Sequence, residues 1–301
     1  MLQSMLRTAT PQAESLAGLW WLMFWVCLAV FAVVMALMAA GLIGGRRPAG
    51  TERAIAIGTG LTAAVLAGLL VTSSLVGARV SAPGDGDPLR IEVFGRLWWW
   101  EVRYPGTGAV LANEIRLPAG RPAEIALVSD NVIHSFWVPG LAGKLDMVPG
   151  HSNLLRVTPA ELGVYRGQCA EFCGTQHALM AFVVVVQPPA EFARWLAVQA
   201  EPAAEPADAQ AARGQALFLA SGCGACHTVR GIPADGRVGP DLTHVGSRLT
   251  IGAGILPQNV GTLGGWVANS QAIKPGNAMP AFDHFSGEQL RAIAAWLAGL
   301  E

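Results

Sequence analysis

The chain begins with two long stretches of apolar residues that carry no charge. Residues 16–45 and residues 54–78 contain no Asp, Glu, Lys or Arg. Because about 20 apolar residues are enough to cross a bilayer as a helix, the pattern predicts transmembrane helices over about 17–43 and 54–78. The first stretch is also too long for the hydrophobic part of a signal peptide. We therefore expect residues 1–80 to form an N-terminal tail and a transmembrane hairpin.

Beyond the hairpin, the apolar positions fall into short runs bounded by Gly or Pro. A segment rich in Pro, Gly and Asp at residues 80–90 separates these runs from the hairpin and indicates a linker. The runs are rich in Val, Ile, Leu and aromatic residues, and no long helical period interrupts them. The pattern predicts an all-β sandwich or Greek-key domain over residues 90–190. The runs cover residues 90–104, 109–117, 123–128, 153–157 and 181–187.

The end of the chain shows helical spacing instead. Residues 191–210 are rich in Ala, Pro and acidic residues and predict a semi-extended linker. Helical stretches follow at 211–220 and 288–299. We expect an all-α domain over residues 211–301. The predicted fold class is therefore multidomain, with a two-helix transmembrane hairpin, an all-β domain and an all-α domain.

Composition and charge place the chain at a membrane. Hydrophobic residues make up 52% of the sequence and charged residues only 14%, which is too apolar a balance for a purely soluble protein. The net charge of −1 gives no sign of a nucleic-acid partner. Arg46, Arg47 and Arg53 lie in the turn between the two helices, and short basic loops stay in the cytoplasm. Both termini and everything after residue 80 are then extracytoplasmic.

Residues 167–180, GQCAEFCGTQHALM, concentrate side chains that favour copper, because soft thiolate and thioether sulfur select this metal. His134 is the distant candidate, since metal ligands in a β-sandwich come from loops at one end of the sheets. A disulfide between Cys169 and Cys173 is an alternative outside the cytoplasm. Zinc can also use two Cys and two His, but methionine is a poor zinc ligand. The candidate metal ligands are His134, Cys169, Glu171, Cys173, His177 and Met180.

A second cysteine pair lies in the sequence SGCGACH, directly before a histidine. Cys223, Cys226 and His227 form C-x-x-C-H, the covalent attachment site of a c-type haem. The later stretch KPGNAMPAF supplies Met279 as a further candidate haem-binding residue, and Met147 is a weaker candidate for the same role. The all-α domain is therefore predicted to bind haem.

Three motifs resemble those of cytochrome c oxidase subunit II: HSFWVP, AGKLDMVPG and C-x-E-x-C-G-x-x-H-x-x-M. The hairpin and the β domain also match this family, so the resemblance covers residues from about 15 to 190. Residues 209–301 resemble a class I cytochrome c, which implies Met279 as the sixth iron ligand and Pro240 as the backbone partner of the ligand histidine. With both parts in one chain, the sequence looks like subunit II of a caa3-type cytochrome c oxidase.

For the β domain, the resemblance implies a cupredoxin fold that holds the dinuclear copper centre CuA. The two cysteines would bridge both coppers, and His134 and His177 would each bind one copper. Met180 and the backbone carbonyl of Glu171 would be weak ligands. The side chain of Glu171 would reach a magnesium ion at the boundary with subunit I.

The resemblance also assigns two residues outside the ligand set. Trp98 falls at the position where electrons enter CuA, and Glu52 occupies a place comparable to a proton entrance. Two residues depart from the family pattern, Leu97 and Asn131. These departures put a docking surface for a soluble cytochrome c in doubt.

The implied function is electron transfer in a haem–copper terminal oxidase of the bacterial plasma membrane. Electrons would pass from a cytochrome c donor through haem c and CuA to subunit I, where oxygen is reduced to water with proton translocation. Subunit III is a further expected partner, and the oxygen-reducing site lies outside this chain. A subunit of a CuA-containing nitric oxide reductase is the alternative. A quinol oxidase subunit would lack the copper ligands, and a copper carrier would have no use for haem c.

Overall fold

The computed structural model describes residues 3–44 and 50–301. Two long helices come first: α1, Pro11–Gly44, and α2, Thr51–Ser81. Both are long and apolar enough to cross a membrane. Their large apolar side chains are exposed along most of their length, as expected for helices that face lipid or another membrane subunit. The chain is thus anchored in a membrane by its N-terminal hairpin.

Both helices extend past their predicted bounds. The first begins earlier because Thr10 caps it: the threonine hydroxyl accepts a hydrogen bond from the Ala13 N–H at 3.0 Å. Pro11 follows at the first helical position, where a missing N–H costs nothing. Arg46 and Arg47 of the predicted basic turn lie outside the described residues.

The β domain is a sandwich of two mixed five-stranded sheets with the orders β3-β2-β1-β5-β8 and β4-β10-β9-β6-β7. Two pairs are parallel, β1 with β5 and β4 with β10, and the other pairs are antiparallel. This arrangement confirms the predicted all-β, cupredoxin-like domain. The strands are β1 Leu89–Arg96, β2 Trp99–Tyr104, β3 Ala109–Ala112, β4 Glu114–Pro118, β5 Ala123–Ser129, β6 His134–Trp137, β7 Leu145–Met147, β8 Asn153–Val157, β9 Gly163–Cys169 and β10 Ala181–Gln187.

Aromatic side chains fill the sandwich core next to the copper-favouring loop. Phe136 and Phe182 stack with ring centroids 4.6 Å apart, and Trp100 meets Phe136 edge-on at 5.8 Å. All three are fully buried, and their pairing adds to the energy of burial itself. The core therefore gives the neighbouring strands β6, β9 and β10 a rigid base.

The segment before α1 packs on the β domain. The Ala9 N–H donates to the Gly140 carbonyl at 2.8 Å, and the Ala9 carbonyl accepts from the Ala160 N–H at 2.9 Å. At the other end of the hairpin, Arg156 donates to the Ser81 carbonyl at 2.9 Å. The start of α1 and the end of α2 thus lie beside the same domain.

The predicted linker, residues 191–210, needs a correction. Its first part belongs to helix α3, Pro189–Ala200, which packs on the β domain. Phe192 is buried there against Tyr104, and the Arg116 guanidinium lies 5.0 Å from the Trp195 ring. The apolar residues of α3 recur at helical spacing, and this packing outweighs the extended preference of an Ala- and Pro-rich sequence.

The all-α domain contains α4, Ala209–Ala220, α5, Val260–Ile273, and α6, Gly287–Ala298, with a short hairpin of β11, Thr250–Ile251, and β12, Leu256–Pro257. Gly214 lets α4 approach α6 closely, because a Cβ there would lie 2.1 Å from the Ala292 carbonyl oxygen. The sequence patterns predicted α4 and α6. The third helix, α5, went unpredicted because its glycines and polar residues blur the apolar period.

Candidate copper and haem centres

Three neighbouring strands bring the candidate copper ligands together. His134 begins β6, Cys169 ends β9, and Met180 directly precedes β10. Strand β9 pairs with both neighbours, and the Cys169 N–H donates to the Met180 carbonyl at 2.9 Å. The strands therefore close the base of the loop that carries Cys173 and His177.

The two thiols are free and sit at the centre of this cluster. Their sulfur atoms are 3.7 Å apart, far beyond the S–S bond length of about 2.05 Å. The Cys169 sulfur lies 3.9 Å from His134 Nδ1 and 3.2 Å from the Glu171 carbonyl oxygen. In this structure the two cysteines are thus free thiols available as metal ligands, and they do not form the alternative disulfide.

The other half of the cluster surrounds Cys173. Its sulfur lies 3.7 Å from His177 Nδ1 and 3.8 Å from Met180 Sδ. The donor atoms of His134 and the two cysteines all lie within 4.8 Å of one another, and these three residues are buried. Each thiol sulfur thus has a histidine nitrogen beside it, and the Met180 thioether adds a third soft sulfur atom. This donor set suits copper better than one tetrahedral zinc ion.

The electrostatics of the thiol pair favour metal binding. The pKa of Cys169 is lowered, chiefly because the Cys173 thiol donates a hydrogen bond to its sulfur. The pKa of Cys173 is raised by the same hydrogen bond and by burial. Metal binding requires thiolates, so a bound cation would displace the thiol protons that remain.

Asn131 has an inward role that the sequence did not reveal. Its side-chain oxygen lies 3.0 Å from His134 Nε2, while the other ring nitrogen of His134 faces the Cys169 sulfur. A hydrogen bond at one ring nitrogen fixes which nitrogen is free to bind metal. Gly95 leaves room for the ring, because a Cβ there would lie 2.7 Å from His134 Cδ2. Asn131 is thus a hydrogen-bond partner of a candidate copper ligand as well as a departure from the family pattern at the surface.

Trp98 contacts the copper-favouring loop directly. Its indole N–H donates to the Cys173 carbonyl at 2.8 Å, and its ring lies against Gly174. Trp100 instead points into the β core and is fully buried. Glu52 lies in the first turn of α2, on the order of 40 Å along the helix from its β-domain end. The structure therefore places Trp98 at the cluster and Glu52 far from it.

The C-x-x-C-H motif follows α4 on a short 3-10 turn, Cys223–Ala225. The Nδ1 atom of His227 lies 2.7 Å from the Pro240 carbonyl oxygen, so the other ring nitrogen is free to bind metal. Gly239 permits this position, because a Cβ there would lie 2.5 Å from His227 Cε1. Burial lowers the pKa of His227, which keeps the imidazole neutral as a metal ligand requires.

His227 and Met279 line the same cavity of about 410 Å³, and both cysteines of the motif lie at its wall. Its other walls are mainly apolar. Met279 is held by its backbone: its N–H donates to Asn277 Oδ1 at 2.8 Å, and its carbonyl accepts from Gln271 at 2.7 Å. The rival Met147 lies in β7, where it pairs with His134.

Two polar side chains show that this cavity suits a haem. Arg248 Nε and Thr250 Oγ1 are buried at its wall, and neither has a hydrogen-bond partner among the described residues. An unsatisfied buried donor is costly unless a bound group completes it. Haem carries propionates that such donors bind, so the donor set and the apolar walls fit the group. The sequence GPDLTHVGSRLT was the available signal for these two residues.

The β domain contributes part of the haem cavity wall. Leu97, Trp98, Trp99 and Asn113 line the cavity together with residues of the all-α domain. Trp98 thus borders the haem cavity and contacts the copper-favouring loop. One tryptophan thus contacts both candidate sites.

A membrane-anchored cupredoxin domain joined to a c-type cytochrome domain defines the class: a protein that carries electrons at a membrane. Profiles of known families agree with it. The profile "Cytochrome C oxidase subunit II, periplasmic domain" matches residues 107–187, and the profile "Cytochrome c" matches residues 211–301. The chain belongs to the cytochrome c oxidase subunit II family.

Two curated relatives support this assignment. Cytochrome c oxidase subunit 2 of Alkalihalophilus pseudofirmus is 34% identical over 243 residues, 79% of this chain and 70% of the relative. The protein of the same name from Bacillus sp. strain PS3 is 33% identical over 229 residues, 72% of this chain and 64% of the relative. Membership in the family implies a CuA centre, and the cytochrome c domain implies haem.

Two solved structures match part of the chain. The periplasmic domain of cytochrome oxidase subunit II from Bradyrhizobium japonicum shares 28% identity, with a TM-score of 0.36. The match covers 39% of this chain and 94% of that one. A chain from a haem–copper terminal oxidase dimer shares 27% identity over 44% of this chain and 99% of that chain, with a TM-score of 0.33.

Proposed function

We propose that this chain delivers electrons to subunit I of a caa3-type haem–copper oxidase. Electrons pass from a cytochrome c donor through haem c and CuA to subunit I, which reduces oxygen to water and translocates protons. The observation that carries the proposal is the position of Trp98, which borders the haem cavity and donates to the Cys173 carbonyl at 2.8 Å. The two candidate centres are thereby adjacent within one chain.

In this proposal the copper loop holds both metal ions. Cys169, Cys173, His134 and His177 would hold the copper, with Met180 and the Glu171 carbonyl as weaker ligands. Copper and haem, when bound, supply the one-electron chemistry. The protein supplies a rigid cage, because strands β6, β9 and β10 fix the ligands before any metal binds. Burial of the cluster excludes water from the thiolates.

The all-α domain would hold the haem through four residues. Cys223 and Cys226 would supply the covalent links and His227 and Met279 the iron ligands, and such His/Met ligation raises the reduction potential. The Pro240 carbonyl fixes the tautomer of the ligand histidine. Arg248 and Thr250 receive the propionates at the cavity wall.

Three roles extend the proposal beyond the ligand sets. Trp98 is the residue at which electrons enter the copper site, and the Glu171 side chain reaches a magnesium ion shared with subunit I. Glu52 receives protons at the cytoplasmic end of α2. Subunit III is a further partner in the assembled oxidase.

The proposed topology has both termini and both redox domains outside the cytoplasm. Packing supports it, because the start of α1 and the end of α2 both contact the β domain. A hairpin with both of its ends on one side turns on the other side of the membrane. The basic residues of that turn then meet the cytoplasm.

Spectroscopy of the detergent-solubilised full-length chain tests the proposal. We expect a mixed-valence dicopper EPR signal together with a c-type haem absorbance spectrum. A copper-free chain with Cys169 joined to Cys173 after copper reconstitution would refute the assignment of the copper site. In the purified complex, oxygen consumption is expected, and nitric oxide consumption without oxygen consumption would favour the reductase alternative.

A further inference from the structure

The β domain and the all-α domain share a junction built from direct hydrogen bonds. Backbone atoms contribute on both sides, and several of the donors are charged side chains. The bonds run from Lys274 Nζ to the Trp98 carbonyl, from Gln176 Nε2 to the Pro275 carbonyl, from Arg166 to the Gly254 carbonyl, from Arg230 to the Gly108 carbonyl, from the Ala181 N–H to the Ala253 carbonyl, and from the Leu249 N–H to Glu114. The domains are therefore docked and not merely tethered.

Lys274 occupies the part of this junction that lies between the two candidate centres. Its Nζ donates to the Trp98 carbonyl at 2.8 Å, and only 3% of the residue is exposed. Burial lowers its pKa to about 8. A lysine is almost never fully buried unless a polar group pairs with it, because desolvating an ammonium group is costly. The chain has one other lysine, Lys144, and its side chain is about half exposed.

On the haem side, Lys274 is linked to Met279 by short hydrogen bonds. It follows α5 directly, and its carbonyl accepts from Asn277 Nδ2 at 2.7 Å. Asn277 Oδ1 in turn accepts from the Met279 N–H at 2.8 Å. A displacement of Lys274 would therefore also displace the backbone of Met279 through Asn277.

On the copper side, Trp98 continues the same connection. Its carbonyl accepts from Lys274, and its indole N–H donates to the Cys173 carbonyl. Gln176, in the copper-favouring loop, supplies a second bond to the same region through the Pro275 carbonyl. Lys274 and Gln176 thus bind residues 274–282, the methionine loop, to the copper-favouring loop through Trp98 and through Pro275.

We propose that Lys274 is a positioning residue that holds the methionine loop against Trp98 and thereby sets the rate of electron transfer between the two domains. The proposal rests on the proposed function, because it concerns transfer between the haem and copper sites. Lys274 lines the edge of the haem cavity but belongs to neither ligand set, and it acts through its hydrogen bond to a backbone carbonyl. Loss of this bond leaves each ligand set intact but makes the distance between the haem and copper sites more variable.

The test uses the full-length chain in the assembled oxidase. Lys274→Met removes the donor and keeps the length of the side chain, and Lys274→Arg keeps a charged donor. The matched control is Arg291→Met, on an exposed position of α6. A light pulse excites an added ruthenium photoreductant, which reduces the haem in the presence of a sacrificial electron donor, and the rate at which the copper becomes reduced is followed optically. Hydrogen–deuterium exchange of residues 97–100 and 274–279 is measured in parallel.

We expect Lys274→Met to slow interdomain transfer by about tenfold or more, because small misplacements of reacting groups have large effects on rate. The haem absorbance and copper EPR signals stay as in the parent chain, while exchange in both segments rises. Lys274→Arg restores most of the rate, and the control matches the parent. An unchanged rate in Lys274→Met, or equal losses in both lysine variants, would overturn the proposal.

A second variant keeps the proposal falsifiable if Lys274→Met does not assemble. Gln176→Leu removes the neighbouring bond to Pro275, and a slower rate with intact spectra supports the same mechanism. A parent-like rate in Gln176→Leu would overturn it in that case. The parent chain separates this proposal from the proposed function: absence of any haem-to-copper transfer there refutes the function itself.

Discussion

Gly95 faces the ring of His134, and its replacement by alanine offers a direct test of the copper cage. A Cβ on Gly95 would lie 2.7 Å from His134 Cδ2 and 3.0 Å from Cγ, where ordinary contacts begin at 3.4 Å. The backbone of Gly95 does not have a positive φ. The substitution is therefore compatible with the strand, and its effect is steric.

The displacement falls on the histidine ring because the strand cannot yield. Gly95 pairs with Trp100 on one side and with Ser129 on the other. His134 must move by about 0.7 Å to reach an ordinary contact. This movement strains its bond to Asn131 and shifts the nitrogen that faces Cys169. We expect a loss of about 1–3 kcal/mol in stability from overpacking. Copper affinity should fall by about 10- to 100-fold, the range seen when the support of a ligand is lost.

The assay is copper titration of the detergent-solubilised full-length chain against a competing chelator, with the EPR signal as readout, alongside thermal unfolding. Gly265→Ala is the matched control, because a Cβ at this position in α5 meets nothing within 4 Å. It should leave copper affinity unchanged and gain up to about 1 kcal/mol in helix stability. Parent-like copper affinity and melting temperature in Gly95→Ala would refute the reasoning.

Three further substitutions test other parts of the structure. Gly239→Ala places a Cβ 2.5 Å from His227 Cε1, so the purified chain should carry less covalent haem, measured by its pyridine haemochrome absorbance; full haem content would contradict this. Asn131→Asp puts a carboxylate beside His134 Nε2 and makes the imidazole a more basic copper ligand. The copper reduction potential should fall by on the order of 40 mV, equivalent to about 1 kcal/mol for one electron, and a rise in a redox titration would exclude this role. Phe192→Ala removes a buried ring from α3 and should cost about 3 kcal/mol, with faster hydrogen exchange over residues 189–200; unchanged exchange would show that α3 does not depend on this contact.

The sequence predicted elements well where one physical signal dominated. The hairpin follows from uncharged length alone, and β8 and β10 appear at their predicted bounds because their apolar runs end at turn residues. Strands β6, β7 and β9 were not predicted, since they carry polar and ligand residues that interrupt the apolar pattern. Helix α3 was assigned to a linker because composition says nothing about the surface on which a segment packs.

The candidate ligands could be named from the sequence, but their partners could not. Cysteine, histidine and methionine stand out by chemistry and spacing, and the structure brings the copper-favouring set together. The roles of Asn131, Arg248 and Lys274 appear only in the folded chain: Asn131 contacts the His134 ring, Arg248 Nε is buried at the wall of the haem cavity, and Lys274 donates to the Trp98 carbonyl. Such contacts depend on the register of strands and on how two domains meet. A single sequence carries neither kind of information.

The docked junction also bears on the expectation that the β domain has a weak docking surface for a soluble cytochrome c. Trp98 accepts a hydrogen bond from Lys274 and lines the haem cavity, so this edge of the β domain faces the all-α domain. Tethering alone already raises the local concentration of the haem domain to the millimolar range. The hydrogen bonds across the junction then fix one orientation, so acidic steering residues on the β domain bring no further advantage. Within the proposed function, we therefore predict that an external donor binds the all-α domain, where Cys226 is exposed at the edge of the haem cavity.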